Sequence, residues 1–314
     1  MNITLLEPIG ISSDSLANIK INFESSGHEF NTHDNRPNND AEIIKRAQNA
    51  DVIILSNLPI SENVISQCAS LKMISVAFAG VDHIPIDLCR EKNIIVSNAA
   101  GYSNHAVAEL VIGSALNLYR KINWCDSQTR KSGTREGYLG SELYGKTFGI
   151  IGLGEIGTHI ANIANAFGCK VLAYTRTKKD INNVEFSDLE QVLKESDIVS
   201  IHAPLTNETK HLIGEKELNL LKPTSLLINT ARGAIVDNVA LSKILKKGGI
   251  AGAAIDVYEK EPPLEKDYAL FDAPNTILLP HIGYATKEAI ELRRDIVMEN
   301  IEKWIKRNPQ NVMN

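Results

Sequence analysis

Between residues 148 and 279 six short apolar runs recur, at 148–151, 171–174, 198–201, 226–228, 252–255 and 277–279, and most of the gaps between them can hold a helix. Runs of this length without polar alternation read as strands buried on both faces, and strand–helix alternation builds a parallel, doubly wound sheet. The first strand, Thr147-Phe148-Gly149-Ile150-Ile151, leads directly into Gly152-Leu153-Gly154-Glu155-Ile156-Gly157. A helical pattern follows through Ile160, Ile163, Ala164 and Phe167, then Gly168 and the next strand. In that context the first glycine permits the tight turn, the second admits a pyrophosphate to the backbone and the third lets helix and strand pack closely. The helix N-terminus then meets the anion. The segment predicts a Rossmann dinucleotide-binding sheet, with Gly152, Gly154, Glu155, Ile156 and Gly157 at the cofactor.

The first hundred residues repeat the alternation on a smaller scale. Apolar runs at 3–6, 52–55, 73–77 and 94–96 read as strands, with helix patterns near 13–25, 40–48 and 61–69 and a polar tract at 31–40 read as a solvated loop. A long helix is expected from about Tyr102 to Ile122. The last helical pattern, 287–306, carries an apolar stripe of Ile290, Ile296, Val297, Ile301 and Trp304 but has no sheet of its own, so it is expected to return to the first domain. The fold class is therefore α/β, with two doubly wound parallel-sheet domains.

Length and charge narrow the function. A chain of 314 residues has room for two full cores, and 43% hydrophobic against 23% charged residues is a globular balance. Lys and Arg total 33 against 38 Asp and Glu, a formal charge of -5, so no basic field exists to hold nucleic acid. Cys68, Cys89, Cys125 and Cys169 are widely spaced, with no zinc-binding pattern, and are expected to be reduced thiols with no metal site. Neither a leader segment nor a membrane span is evident, which makes the expected location cytoplasmic.

At the end of the second strand of the Rossmann pattern, an NAD-selective site would carry an Asp or Glu for the ribose 2'-hydroxyl. Here the chain reads Tyr174-Thr175-Arg176-Thr177-Lys178-Lys179, and the nearest carboxylate, Asp180, lies well beyond. A guanidinium pairs with a 2'-phosphate and small hydroxyls donate to it. Thr175, Arg176 and Thr177 thus predict preference for NADP(H), with NAD(H) possible. Three further segments follow strands: Asn229-Thr230-Ala231-Arg232-Gly233, Asp256-Val257-Tyr258-Glu259-Lys260-Glu261-Pro262 and Pro280-His281-Ile282-Gly283. Strand carboxyl ends converge on the ligand crevice of an open parallel sheet, so Arg232, Glu261 and His281 can meet there. Arginine grips a carboxylate, histidine exchanges a proton near neutral pH, and a glutamate orients the imidazole.

With these segments in order, the chain resembles the D-isomer-specific 2-hydroxyacid dehydrogenases, nearest in motif to glyoxylate/hydroxypyruvate reductases and phosphoglycerate dehydrogenases. Phe78-Ala79-Gly80-Val81-Asp82-His83 is similar to the family loop whose amides meet the substrate carboxylate, which implies substrate binding by Ala79 and Gly80 together with Arg232. Asn98 to Asn104 followed by Ala106-Val107-Ala108-Glu109 resembles the start of the family's interdomain helix, and His202-Ala203-Pro204 its segment beside the nicotinamide. The resemblance also implies cofactor contacts by Thr230, Ala231, Asp256, His281 and Gly283. It implies a flavodoxin-like catalytic domain of residues 1–98 plus 287–314, a cofactor domain of residues 99–286, a cleft between them, and a homodimer through the helix beginning near Ser103.

The implied reaction is reduction of a small 2-oxo acid of the glyoxylate or hydroxypyruvate type, with Arg232 on the carboxylate, His281 as acid/base and Glu261 as its partner. Phosphoglycerate is disfavoured, because the family's phosphate-binding arginine would fall in Leu55-Ser56-Asn57-Leu58, which has no basic residue, and no regulatory extension follows Asn314. Glu261 stands where formate dehydrogenases of the superfamily carry Gln. An NAD-dependent D-lactate-like or phosphoglycerate-type dehydrogenase is the alternative enzyme, and an NAD(P)-sensing, corepressor-like binding protein is the alternative of another class.

Overall fold

The computed structural model describes residues 1–177 and 181–314, and the chain parts into two compact units: Met1–Ser103 with Ala285–Asn314, and Asn104–Tyr284. The first unit opens with β1 (Asn2–Leu5), α1 (Ser13–Ser25), β2 (Glu29–Thr32), α2 (Asp40–Ala47), β3 (Val52–Leu55), α3 (Glu62–Gln67), β4 (Met73–Val76), α4 (Ile86–Glu91) and β5 (Ile95–Asn98). Its five strands are all parallel, in the order β2-β1-β3-β4-β5. Helices start where side-chain oxygens take up first-turn amides: Ser12 accepts from Ser15 N, Asn39 from Glu42 N and Ser61 from Val64 N.

The second unit holds α5 (Asn104–Arg120), α6 (Ile122–Arg130), β6 (Thr147–Ile151), α7 (Glu155–Ala166), β7 (Lys170–Tyr174), β8 (Val184–Phe186), α8 (Leu189–Glu195), β9 (Ile198–Ile201), α9 (Glu215–Leu218), β10 (Leu226–Asn229), a 3-10 turn (Gly233–Ile235), α10 (Asn238–Lys246), β11 (Gly252–Ile255) and β12 (Thr276–Leu278). Its seven-stranded sheet runs β12-β11-β10-β9-β6-β7-β8, parallel throughout. The period-two alternation of a strand sends Phe148 and Ile150 into a core with Val111, Ile160 and Ala164, and Ile151 into another with Leu218, Leu241 and Leu245. Both faces are covered, which is why these strands read as continuous apolar runs.

Three elements depart from the sequence reading. β2 occupies the start of the tract read as a solvated loop, and β8 adds a seventh strand; both are short edge strands, and only Phe30 among their residues is buried. The long helix ends as α5 at Arg120, close to the expected Ile122, and after Lys121 at a left-handed φ of 45° a further helix, α6, follows that the sequence reading did not include. The last helix, α11 (Lys287–Ile305), belongs to the first unit. There Val297 accepts a hydrogen bond from Ser75 Oγ (3.2 Å), and Asn300 Nδ2 donates to the Asn98 carbonyl (2.8 Å). Its buried face thus includes Arg293 and Asn300 with Val297 and Ile301 of the expected apolar stripe, whereas Ile290, Ile296 and Trp304 are only half-buried.

Candidate active site

The turn after β6 shows why glycine is needed at each motif position. Gly152 has φ +97°, its N–H donates to the Tyr174 carbonyl at the end of β7 (2.8 Å), and a Cβ there would lie 2.6 Å from the His202 carbonyl carbon. At Gly157 a Cβ would stand 2.3 Å from the Gly152 oxygen, so a side chain would force helix and turn apart. Gly154 is different: nothing lies within 4 Å of its would-be Cβ, and it caps α7 without a side chain. Open space thus stands over the first turn of a twelve-residue helix, where Glu155 and Ile156 begin and amides face outward. This cradle fits a pyrophosphate.

The neighbouring strand ends complete that edge. Thr175 follows β7 directly, its Oγ1 reaches the Thr177 carbonyl (3.4 Å), and Arg176 and Thr177 are exposed; Asp180 lies outside the described residues. His202, Ala203 and Pro204 follow β9, and the backbone of the first two packs on Gly152. Burial pushes the His202 pKa down to about 3, and its Nε2 lies 2.6 Å from Ser200 Oγ, so near neutral pH this imidazole is an uncharged hydrogen-bonding group.

β10, β11 and β12 are adjacent, so their carboxyl ends bring the three remaining segments together. Asn229, fully buried, accepts from Ala231 N (3.1 Å) and donates from Nδ2 to the Arg232 carbonyl (3.0 Å), which shapes the turn presenting Arg232. Arg232 Nη1 donates to the Ala231 carbonyl (2.7 Å), and beside it Thr230 Oγ1 is buried with no hydrogen-bond partner among the described residues. At Gly233 a Cβ would come within 2.0 Å of the Tyr258 carbonyl carbon, so the Arg232 turn lies directly on the segment that leads to Glu261. Glu261 Oε1 stands 3.1 Å from His281 Nδ1.

His281 has a left-handed φ of 57°, a conformation that costs a non-glycine residue about 1–3 kcal/mol unless its surroundings impose it. Asp256 imposes it. Its carboxylate, 1% exposed, accepts from Ile282 N and Gly283 N at 2.7 Å each, and a Cβ at Gly283 would stand 3.0 Å from Oδ2. Burial pushes the Asp256 carboxyl up, against the two amides that favour its ionised form. The sequence resemblance implied a nicotinamide contact for Asp256; the geometry gives it in addition a clamp on the His281 turn.

In the first unit, Ala79 and Gly80 follow β4 on a segment held from below. Asn98 Nδ2 donates to the Ala79 carbonyl (2.6 Å), His83 Nε2 lies 3.0 Å from the Ser56 carbonyl, and the Arg293 guanidinium lies over the Phe78 and Tyr102 rings at 6.0 and 5.6 Å.

Residues 112–283 match the family model for the D-isomer specific 2-hydroxyacid dehydrogenase NAD-binding domain. A glyoxylate reductase of Thermococcus litoralis is 38% identical over 286 residues, covering 87% of this chain and 86% of that protein. The chain belongs to the D-2-hydroxyacid dehydrogenase family. This dehydrogenase is also 36% identical to a glycerate dehydrogenase of Methylorubrum extorquens over 280 residues, covering 87% and 88% of the two chains. Among solved structures, an acyclic imino acid reductase (Bsp5) in complex with NADPH and D-Arg superposes with a TM-score of 0.92 at 32% identity over the full length of both chains. The family chemistry is that of an NAD(P)-dependent oxidoreductase acting on 2-hydroxy acids.

Two features of this dehydrogenase went unread in its sequence: the Asn229 amide inside the Arg232 turn, and a cation at the loop after β3. Leu55-Ser56-Asn57-Leu58 carries no basic residue, yet the fold supplies one, since Arg36 Nη1 donates to Asn57 Oδ1 at 2.6 Å. Adjacency in the sheet, not in sequence, brings that guanidinium to the loop. Among the described residues no helix is long and apolar enough to cross a membrane.

Proposed function

We propose that this chain is an NADP(H)-preferring 2-oxo acid reductase acting on glyoxylate- or hydroxypyruvate-type substrates, with Arg232, Glu261 and His281 as its catalytic residues. The observation that carries the proposal is the pairing of His281 with Glu261 on a turn clamped by Asp256, beside the Arg232 turn. When bound, the nicotinamide supplies hydride to the substrate carbonyl carbon. His281 donates Nδ1–H to Glu261, which leaves Nε2 to hand its proton to the substrate oxygen, and the Glu261 carboxylate favours the imidazolium that carries that proton. Arg232 binds the substrate carboxylate and orients the carbonyl, joined by backbone amides of Ala79 and Gly80. The pyrophosphate rests at Gly152, Gly154, Glu155, Ile156 and Gly157. His202, Ala203, Pro204, Thr230, Ala231, Asp256, His281 and Gly283 line the nicotinamide half.

Preference for NADP(H) rests on Thr175, Arg176 and Thr177, which offer hydroxyls and a guanidinium to a 2'-phosphate where a carboxylate would repel it. The working units are a substrate domain of residues 1–98 plus 287–314 and a cofactor domain of residues 99–286, the protein acting in the cytoplasm as a homodimer. Initial rates on the purified protein with NADPH and NADH, against glyoxylate, hydroxypyruvate, pyruvate and phenylpyruvate, test the reading. Expected is a kcat/KM at least about 100-fold higher with NADPH, roughly 2.7 kcal/mol, and fastest turnover of the two-carbon or three-carbon substrate. Equal use of NADH would overturn the cofactor preference.

A second reading draws on the full-length likeness to an imino acid reductase solved with NADPH. The same residues would then protonate nitrogen in place of oxygen. Supplying ammonium with each 2-oxo acid and analysing the product for amino acid separates the two.

A further inference from the structure

In the first unit the winding of the sheet reverses between β1 and β3, and an open parallel sheet forms its ligand crevice outside the strand carboxyl ends at such a point. Glu7, two residues beyond β1, and Ser56 to Leu58, just beyond β3, stand there. Glu7 is 2% exposed; its Oε1 accepts from Ser56 N (2.9 Å) and Leu58 N (3.1 Å), and its Oε2 from Arg36 Nη1 (3.0 Å). Arg36 arrives from the loop between β2 and α2. Its Nη1 also donates to Asn57 Oδ1 (2.6 Å) and its Nη2 to the Asn57 carbonyl (3.1 Å).

That loop is itself anchored. Arg46 of α2 donates from Nη1 to the carbonyls of Leu6 and Asn35, each at 2.7 Å, and from Nη2 to Asn35 Oδ1 (2.9 Å), and it pairs with Glu42. The residue before Arg36 is thus tied to the end of β1, so Arg36 is pre-positioned at its place by the crevice. His83, bonded to the Ser56 carbonyl, joins the same loop to the segment of Ala79 and Gly80. Arg36 spends three of its five N–H groups on Glu7 and Asn57. The Nε–H and one Nη2–H have no acceptor among the described residues, and the side chain is 47% exposed.

We infer that Arg36 is a specificity-determining residue, meeting the end of the substrate remote from its carboxylate and selecting a 2-oxo acid that carries a hydroxyl on its third carbon. The inference rests on the proposed binding of the substrate carboxylate by Ala79 and Gly80. Glu7 sets the charge preference. With its carboxylate 3.0 Å from the guanidinium, the cluster offers N–H donors at no net charge. A neutral hydroxyl satisfies those donors, a phosphate dianion would be set against Glu7, and a cationic side chain would meet donors only.

The test is the ratio of kcat/KM for hydroxypyruvate to that for glyoxylate, which has no third carbon. Measured within one preparation, the ratio does not change with the fraction of folded enzyme. Arg36→Ala is expected to lower it at least about tenfold, since a lost hydrogen bond to a substrate hydroxyl acts on one substrate alone. Arg36→Lys keeps the charge opposite Glu7 but lacks the two spare guanidinium donors, and is expected to lower the ratio in the same direction with the fold preserved. A ratio within twofold of wild type in both variants, or wild-type preference for the phosphate ester of hydroxypyruvate over hydroxypyruvate itself, overturns the inference. Wild-type enzyme inactive on both substrates with either cofactor would instead overturn the reading on which it rests.

Discussion

A histidine at φ 57° is an uncommon residue, and the two short hydrogen bonds from Ile282 and Gly283 to Asp256 explain how it is held. Asp256→Ala would leave two amides without their acceptor and release the turn. The expected cost is about 1–3 kcal/mol of stability, read as a lower urea midpoint, together with a fall in kcat/KM as His281 loses its orientation. An unchanged midpoint would show that the turn holds without the carboxylate. His281→Ala removes the proposed proton donor and should lower kcat about 100- to 10,000-fold with cofactor binding retained. Full activity in that variant would falsify the acid/base assignment. Glu261→Gln keeps a hydrogen-bond acceptor for Nδ1 but removes the carboxylate charge beside the imidazole, so it should lower kcat for reduction with the urea midpoint little changed, and wild-type kcat in that variant would remove Glu261 from the catalytic set.

At the scale of elements, the cofactor sheet is tied together at the amino ends of its strands as well as at the ends that bear the site. Asp197, just before β9, accepts from Thr147 N at the start of β6 and from Lys222 Nζ, each at 2.9 Å, and returns its own N–H to the Thr147 carbonyl. Burial acts to raise its pKa, but the Thr147 amide and the Lys222 ammonium outweigh it and hold the carboxyl below the usual range. The folded form therefore binds fewer protons than the unfolded chain below the ordinary aspartate value of about 3.9. Its stabilising effect is complete above that value and is lost as pH falls through the depressed one. Asp197→Asn should flatten the decline of unfolding free energy on that acid side; an identical slope in wild type and variant would remove Asp197 from the acid response. The elements themselves differ in how they could be read. β6, β9 and β10 are covered on both faces and announce themselves as apolar runs, and α1, α2 and α3 begin within a residue of the helical patterns near 13, 40 and 61. β2 and β8 are edge strands whose pairing with β1 and β7 comes from the sheet, and Glu29 and Asn31 carry little intrinsic strand signal.

For the whole molecule, the proposed cofactor preference becomes a stability statement. A ligand at 100 times its Kd adds about 2.7 kcal/mol to the folded state, so at equal concentration NADPH should raise the Tm more than NADH. The reverse order would reject the reading of Thr175 to Thr177. Light scattering at twice the chain mass is the expected result for the proposed homodimer, and a single-chain mass would exclude it. Much of the molecule was legible beforehand because its constraints are local. A glycine that must turn at φ +97°, a glycine with a backbone oxygen 2.3 Å from its absent Cβ and a four-residue buried strand each leave a mark in consecutive residues. The sequence by itself thus determined the two parallel-sheet domains, the dinucleotide cradle and the segments bearing Arg232, Glu261 and His281. Only the tertiary structure decided that Asp256 clamps the histidine turn, that Asn229 shapes the arginine turn and that Arg36 stands at the loop after β3. The Asp256 and Arg36 contacts join residues 27 and 21 positions apart, partners chosen when strands come into register, and the Asn229 contact spans only 3 but depends on how its side chain turns within the fold, so no pattern along the chain records them.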